Sequence, residues 1–107
     1  MKQVIILILL LTLALPGLAG MVTLSGYLKD KANGEALIGA TVYIPDLKTG
    51  VITNSYGFYS ISVPQGTYSV NFSFIGYQTQ SPFINLNANK QLNVLLAEDS
   101  KQIDEVS

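Results

Sequence analysis

The chain has 107 residues, 12% of them charged, a formal net charge of -1, and no Cys, His or Trp. That length suits one domain, and the charge balance offers no basic stripe for a phosphate backbone, which argues against nucleic-acid binding. Without Cys or His there are no disulfides and a zinc site would need carboxylates alone, so we expect no metal and no cofactor.

Residues 1–19 are typical of a secretory signal peptide. Lys2 gives a positive start, residues 4–15 form an apolar run, Pro16 breaks it, and Ala19 is a small residue suited to cleavage. The alternative is an uncleaved anchor, because no charge follows Lys2 until Lys29. We predict cleavage after Ala19 and export of the remaining chain.

Residues 20–98 contain short alternating runs separated by turn residues, and no helical period. This pattern predicts an all-β fold, a single antiparallel β-sandwich of about seven strands. The runs lie at Val22–Asp30, Ala36–Asp46, Val51–Asn54, Phe58–Val63 and Thr67–Phe74, with two more within Phe83–Glu98.

Turn residues mark the ends of these runs. Asn33 followed by Gly34 is typical of a type I′ turn, in which both central residues have positive φ. Asn54 and Gly57 occupy the first and last positions favoured in a type I turn. Pro45 cannot donate to a sheet, so it indicates a strand end.

The aromatic residues raise the possibility of a sugar-binding platform. The run at 67–74 alternates cleanly and places Tyr68 and Phe72 on one face, while consecutive Phe58 and Tyr59 must point to opposite faces. Tyr56 lies in a turn and is the tyrosine expected to face solvent. Because a platform needs two aromatics on one surface, the pattern favours core or rim packing.

Acidic residues show no catalytic arrangement in the sequence. We interpret Asp30, Glu35 and Asp46 as solvated loop residues rather than as a carboxylate pair across a cleft. No His accompanies the many serines, so a catalytic triad is unavailable. We therefore expect a protein that is not an enzyme.

Residues 99–107 differ from the rest, being acidic and lacking alternation, and are interpreted as a linker or tail. An extended, partly apolar segment can add as a strand to a partner's sheet edge. The candidate partner-binding residues are Ile103, Asp104, Glu105 and Val106. The alternative is that this segment is only a disordered terminus.

Ordered motifs along the chain resemble a known family. They are Gly26 in the first strand, GEALIGATV at 34–42, TNSYGFYSISVPQGTYSV at 53–70, IGYQTQ at 75–80 and IDEV at 103–106. Together they resemble the carboxypeptidase-regulatory-like domain, a transthyretin-like (prealbumin-like) sandwich at the N-terminus of TonB-dependent outer-membrane receptors of Bacteroidetes-type bacteria.

Two departures from the family matter. Its members usually have Asp where Asn54 stands, and in the receptors the DEV motif leads into a hydrophobic segment, a plug domain and a β-barrel, whereas this sequence stops at Ser107. We interpret the sequence as a receptor fragment, a truncated reading frame or a free-standing copy of the domain.

The resemblance implies a function. It implies a non-catalytic periplasmic accessory domain associated with the outer membrane, which organises or regulates contact between a receptor and its partners in nutrient uptake. Those partners would be the receptor's plug and barrel and a periplasmic energy-transducing or signalling protein. The alternatives are a free-standing glycan- or small-ligand-binding module and a purely structural spacer.

Overall fold

The computed structural model describes residues 20–99 and contains nine β-strands in that range. The strands are β1 (Met21–Asp30), β2 (Thr41–Ile44), β3 (Thr49–Ile52), β4 (Phe58–Pro64), β5 (Gly66–Ser69), β6 (Asn71–Ser73), β7 (Phe83–Leu86), β8 (Lys90–Gln91) and β9 (Val94–Leu96). A single 3-10 turn, Pro45–Leu47, follows β2, because Pro45 ends the strand as its missing N–H predicts. Within residues 20–99, no helix has both the length and the apolar character needed to cross a membrane.

The strands form two packed layers. In one layer β4 pairs antiparallel with β1, whose other edge pairs with β8 and then β9. In the other layer β3, β2 and β6 are neighbours, and β5 pairs with β7. The predicted all-β sandwich is confirmed, with nine strands rather than seven, and with β1 parallel to β8 and β9 in an otherwise antiparallel fold.

The core lies between the two layers and follows the alternation of the sequence. Its fully buried large side chains are Tyr59, Phe72, Leu24, Leu28, Ile44, Leu86, Leu96, Val42, Val63 and Val70. The Phe72 ring meets the Tyr59 ring edge-on, with centroids 5.7 Å apart. Burial of each such side chain contributes roughly 1.5–3 kcal/mol, so these contacts are the main stabilising term.

The alternating run at 67–74 is divided at Val70 into two short strands, but both keep one register with residues 80–86. Its N-terminal part, β5, pairs with β7, and its C-terminal part, β6, pairs with β2. Val70 joins them and donates its N–H to the Pro82 carbonyl at 3.0 Å. Because Pro82 has no N–H to return, one hydrogen bond of the ladder is missing there, and the ladder resumes where Phe72 and Gln80 exchange both backbone bonds.

The turn after β1 also differs from the prediction. Gly34 has φ 74°, but Asn33 does not have positive φ, so the turn is not type I′. Instead the Gly34 N–H donates to the Asp30 carbonyl at 2.8 Å, and the Asn33 side chain accepts from the Glu35 N–H at 2.9 Å. The Asn side chain takes the place of a backbone acceptor, a local competition typical of Asn.

The connection between β8 and β9 lies against Gly26 in the middle of β1. The Leu92 N–H donates to the Ser25 carbonyl at 2.7 Å, and the Asn93 side chain accepts from the Tyr27 N–H at 3.0 Å. A Cβ atom on Gly26 would lie 1.8 Å from the Leu92 carbonyl oxygen. Gly26 is therefore required for the close approach of the two backbones.

Candidate functional site

Tyr56 lies on the protein surface, in the turn that precedes β4. The Asn54 side-chain oxygen accepts from the N–H groups of Tyr56 and Phe58, at 2.9 and 3.1 Å, and the Gly57 N–H closes the turn on the Asn54 carbonyl at 2.9 Å. The Tyr56 side chain is 73% exposed. Asn54 acts here as an acceptor through its side-chain oxygen, a role that an Asp carboxylate can also fill.

The other aromatics of this segment do not join Tyr56 in a platform. Tyr59 is buried and donates its hydroxyl to the Leu92 carbonyl at 2.7 Å. Tyr68 is half-buried at the rim, with its hydroxyl on the Pro64 carbonyl at 2.8 Å. Phe58 faces the opposite side of the sheet from Tyr59, as predicted. These side chains pack in the core or at the rim, as the alternation predicts, but β4 and β5 do not form a hairpin with each other, because β4 pairs with β1 and β5 pairs with β7.

The predicted partner-binding residues Ile103, Asp104, Glu105 and Val106 lie outside the described residues. The structure shows how the chain approaches them. The Gln78 N–H donates to the Ala97 carbonyl, and the Asp99 N–H donates to the Gly76 carbonyl, both at 2.8 Å. We call residues 97–99 the tail-exit segment.

Asp30 corrects one expectation from the sequence. It is not a solvated loop residue but the last residue of β1, and it is only 2% exposed. One carboxylate oxygen accepts from the N–H groups of Ala32 and Asn33, at 2.7 and 3.2 Å, and the other accepts from the Tyr77 hydroxyl at 2.5 Å. Asp30 continues the alternation of the buried residues Val22, Leu24 and Leu28, and this position in the sequence indicates burial. The acidic side chain instead favoured an interpretation as a solvated residue.

The Asp30–Tyr77 hydrogen bond shifts the acidity of both groups. It lowers the pKa of Asp30, with further lowering from the Ala32 N–H, because these donors favour the charged carboxylate. The same hydrogen bond, followed by burial, raises the pKa of Tyr77 to about 12. The pair therefore exists as carboxylate and neutral phenol across the ordinary pH range.

This pair positions the chain. One Asp30 oxygen accepts two hydrogen bonds and the other accepts one, and the side chain is only 2% exposed, so the carboxylate is held by structural contacts. Tyr77 also bridges to Glu98 in antiparallel fashion. Asp30 thereby ties the end of β1 to the tail-exit segment.

Two grooves flank the tail-exit segment. One, of about 410 Å³, is lined by Asp30, Lys31, Ala32, Asn33, Ala97 and Glu98. The other, of about 600 Å³, runs beside β9, where the Gln80 side chain donates to the Leu95 carbonyl at 2.6 Å.

Metal binding gains no support from the arrangement of acidic groups. Among residues 20–99 there is no cluster of three or more His, Cys, Asp or Glu side chains that could hold an ion. In the same range every buried polar side-chain atom has a hydrogen-bond partner, so no orphaned group points toward a missing ligand.

Two known proteins of similar sequence are TonB-dependent receptors. The chain is 38% identical over 105 residues to the TonB-dependent receptor SusC of Bacteroides thetaiotaomicron, covering 98% of this chain and 10% of the receptor. It is 26% identical over 82 residues to the TonB-dependent receptor P3 of Formosa agariphila, covering 77% of this chain and 8% of that one. The chain thus spans about a tenth of the length of these curated relatives.

Solved structures share the sandwich. A chain of a type II cohesin–X–dockerin complex from Acetivibrio cellulolyticus matches with a TM-score of 0.64 and 27% identity, over 72% of this chain and 58% of that one. A putative membrane-associated protein from Bacteroides fragilis matches with a TM-score of 0.59 and 20% identity, over 75% of this chain and 28% of that one. The second similarity shows the fold alone.

A family model decides the assignment. The model of the CarboxypepD_reg-like domain matches residues 24–107, which include β1 from Leu24 onward, the other eight strands and the tail. The motifs at Gly26, 34–42 and 53–70 lie within this match. The chain therefore belongs to the family of CarboxypepD_reg-like domains.

Proposed function

We propose that this chain is a non-catalytic accessory domain of a TonB-dependent outer-membrane receptor. In this proposal residues 1–19 are a signal peptide, residues 20–98 are the folded domain and residues 99–107 are a tail that contacts partners. The domain would lie in the periplasm beside the receptor's plug and barrel. It would organise or regulate contact with a periplasmic energy-transducing or signalling protein during nutrient uptake.

The similarity to SusC over 105 residues supports the association with a receptor. The observation that carries the role is the anchorage of the tail-exit segment. The Ala97 carbonyl and the Asp99 N–H are both bonded to the backbone of residues 76–78, and Tyr77 is itself held by buried Asp30. The tail therefore starts from a fixed position on the sandwich.

A fixed starting position favours strand addition by the tail. A peptide that binds as an added strand loses conformational entropy, and holding one end reduces that loss. Ile103 lies only four residues beyond Asp99, so it stays within about 14 Å of the anchor even when the chain is fully extended. The domain would thus present the tail close to its own surface.

The binding proposal is tested by calorimetric titration of the whole protein with the periplasmic domain of an energy transducer. Ile103→Asp and Val106→Asp should each weaken binding roughly tenfold or more, because each places a charge where an apolar side chain is to be buried. Tyr56→Ala is the matched control and should bind like the wild type. Equal affinities for all variants would contradict the tail's role.

Export is tested separately by cell fractionation and mass determination. The proposal expects the protein in the periplasmic fraction, beginning at Gly20. An intact Met1 terminus in the cytoplasmic fraction would contradict it.

A second candidate function is a glycan-binding module. It is favoured by a shallow groove of about 500 Å³ on the outer face of the β4–β1–β8 layer, lined by Thr23, Ser25, Phe58, Asn89, Lys90 and Gln91. The Tyr27 and Phe58 rings lie beside each other there, with centroids 5.2 Å apart. A saturable change in tyrosine fluorescence on adding oligosaccharides, abolished by Tyr27→Ala, would place this function ahead of the accessory role.

A further inference from the structure

Two turns of the sandwich carry an exposed isoleucine at the tip. Ile38 and Ile75 are 58% and 94% exposed. Each is followed by a glycine of positive φ, 79° at Gly39 and 85° at Gly76. A four-residue turn with positive φ at its third position is type II, and its second position favours Pro. The chemistry of the turns therefore does not account for an apolar, β-branched side chain at either tip.

Hydrogen bonds hold both turns in place. The Thr53 hydroxyl donates to the Leu37 carbonyl and accepts from the Ala40 N–H at 2.9 Å, so it bridges the two ends of the first turn. The Tyr77 N–H donates to the Phe74 carbonyl at 3.0 Å and closes the second turn. Both exposed isoleucines therefore stand at fixed positions on the surface.

The two turns meet at a groove of about 350 Å³, which we call the Ile–Gly groove. Its lining residues, none of them charged, are Gly39, Thr41, Ser73, Phe74 and Ile75. Ile52, which is 69% exposed, extends the apolar surface, because it lies opposite Thr41 in the pairing of β2 with β3. An exposed apolar surface beside an uncharged groove marks a contact site for apolar side chains.

The chain leaves the sandwich beside this groove. Residues 97–99 run antiparallel to residues 76–78, and the Asp99 N–H donates to the Gly76 carbonyl at 2.8 Å. In an antiparallel pair, the partner of the residue after Asp99 is the residue before Gly76. A chain that continues in this direction passes Ile75, which lines the groove.

We propose that Ile103 docks in the Ile–Gly groove, so that the tail is held on its own domain. Ile103 is the first apolar residue after Ala97, and the intervening residues 98–102 are polar or charged. It lies four residues beyond Asp99, so it reaches positions within about 14 Å of the anchor. Because the groove and the tail belong to one chain, docking is intramolecular and avoids the entropic cost of association.

Docking would regulate the tail's contact with a partner, a consequence that rests on the proposed function. An Ile103 side chain in the groove is not available to the energy transducer, so the two contacts compete. The apparent affinity for the transducer is then reduced by the fraction of molecules whose tail is undocked.

Nuclear magnetic resonance relaxation of the whole isotope-labelled protein tests the docking without any partner. The backbone order parameter of Ile103 should approach the rigid value of about 0.85 in the wild type. It should fall below about 0.6 in Ile75→Asp, which places a charge in the groove. Equal order parameters in these two proteins would overturn the proposal.

Phe83→Asp is the matched control for the relaxation experiment. Phe83 is 78% exposed, lies on β7 and does not line the groove, so this variant gains the same charge elsewhere. Its Ile103 order parameter should equal that of the wild type. Nuclear Overhauser contacts of the wild-type Ile103 methyl groups should include the Phe74 ring, and contacts only with residues outside the groove would also overturn the proposal.

Calorimetric titration with the periplasmic domain of an energy transducer tests the regulation. Ile75→Asp should bind that domain at least about threefold more tightly than the wild type, because its tail is undocked. Equal affinities would contradict the competition. A transducer domain that binds neither protein would contradict the proposed function, whereas the order parameters decide the docking independently.

Discussion

Gly26 gives the sharpest test of the fold, through the substitution Gly26→Ala. The added Cβ would lie 1.8 Å from the Leu92 oxygen, 2.6 Å from the Leu92 carbonyl carbon and 3.1 Å from the Asn93 side-chain oxygen. Close carbon–oxygen contacts need about 3.3 Å, so the Leu92 backbone must move by about 1.5 Å. A backbone cannot yield as a flexible side chain can, so the β8–β9 connection has to leave β1.

That movement breaks three hydrogen bonds. They join the Leu92 N–H to Ser25, the Tyr27 N–H to the Asn93 side chain, and the buried Tyr59 hydroxyl to the Leu92 carbonyl. At a net value of about 1 kcal/mol each, with a further penalty for an unsatisfied buried hydroxyl, the loss is about 3–5 kcal/mol. This is a large part of the roughly 5–15 kcal/mol that holds a small domain folded.

Urea denaturation followed by tyrosine fluorescence measures the effect. Gly20→Ala is the matched control, since a Cβ at Gly20 meets nothing within 4 Å, and its free energy of unfolding should change by less than about 0.5 kcal/mol. Tyr59→Phe, which removes the hydroxyl alone, should lose about 1 kcal/mol. A Gly26→Ala protein as stable as the Gly20→Ala protein would refute the reasoning.

The other predictions concern the core, the turn and the Asp30–Tyr77 pair. Phe72→Ala should lose about 3–5 kcal/mol of stability by leaving a cavity, whereas Tyr56→Ala should lose almost none. Thermal melts that rank the two variants the other way would contradict the assignment of Phe72 to the core and Tyr56 to the surface. Asn54→Asp should leave the melting temperature almost unchanged, whereas Asn54→Ala, without an acceptor, should lower the free energy of unfolding by about 1–2 kcal/mol. Because the pKa of Asp30 is lowered by folding, its stabilising effect is complete above the usual Asp range and is lost as the pH falls through the folded pKa. Acid unfolding should therefore be less pH-dependent in Asp30→Asn than in the wild type, and equal slopes would contradict this. The raised pKa of Tyr77 stabilises the fold below about pH 10, and this effect is lost as the pH rises through about 12; absorbance titration should show one fewer tyrosine ionising near 12 in Tyr77→Phe.

Many strands of the sandwich were predictable, because a strand with one face in the core has an apolar residue at every second position. The run of Val22, Leu24 and Leu28 and the pair Val42 and Ile44 lie in the core as that period requires. The hydrogen bond missing beside Val70 was not predictable, since it arises from Pro82, which is twelve residues away in sequence and meets Val70 only in the folded chain. Alternation reports the face of a residue and not the strand with which it pairs.

The tail-exit anchorage could not be found from local patterns. Asp30 and Tyr77 are 47 residues apart, and neither belongs to a motif that predicts their contact. An acidic residue at the end of a strand is usually solvated, and its burial depends on the Tyr77 hydroxyl, which only the tertiary structure brings to it, besides the local N–H groups of Ala32 and Asn33. By contrast, the exposed position of Tyr56 follows from local turn residues, and the structure places it there.

The central claim is that the tail beyond the anchored segment binds a periplasmic energy-transducing partner. The most direct measurement is a nuclear magnetic resonance titration of the whole isotope-labelled protein with the periplasmic domain of such a transducer. We expect signal changes to concentrate at Ile103–Val106 and at the adjoining tail-exit segment, with the outer face of β1 and β4 unaffected. Changes confined to that outer face, or no changes at saturating partner, would contradict it.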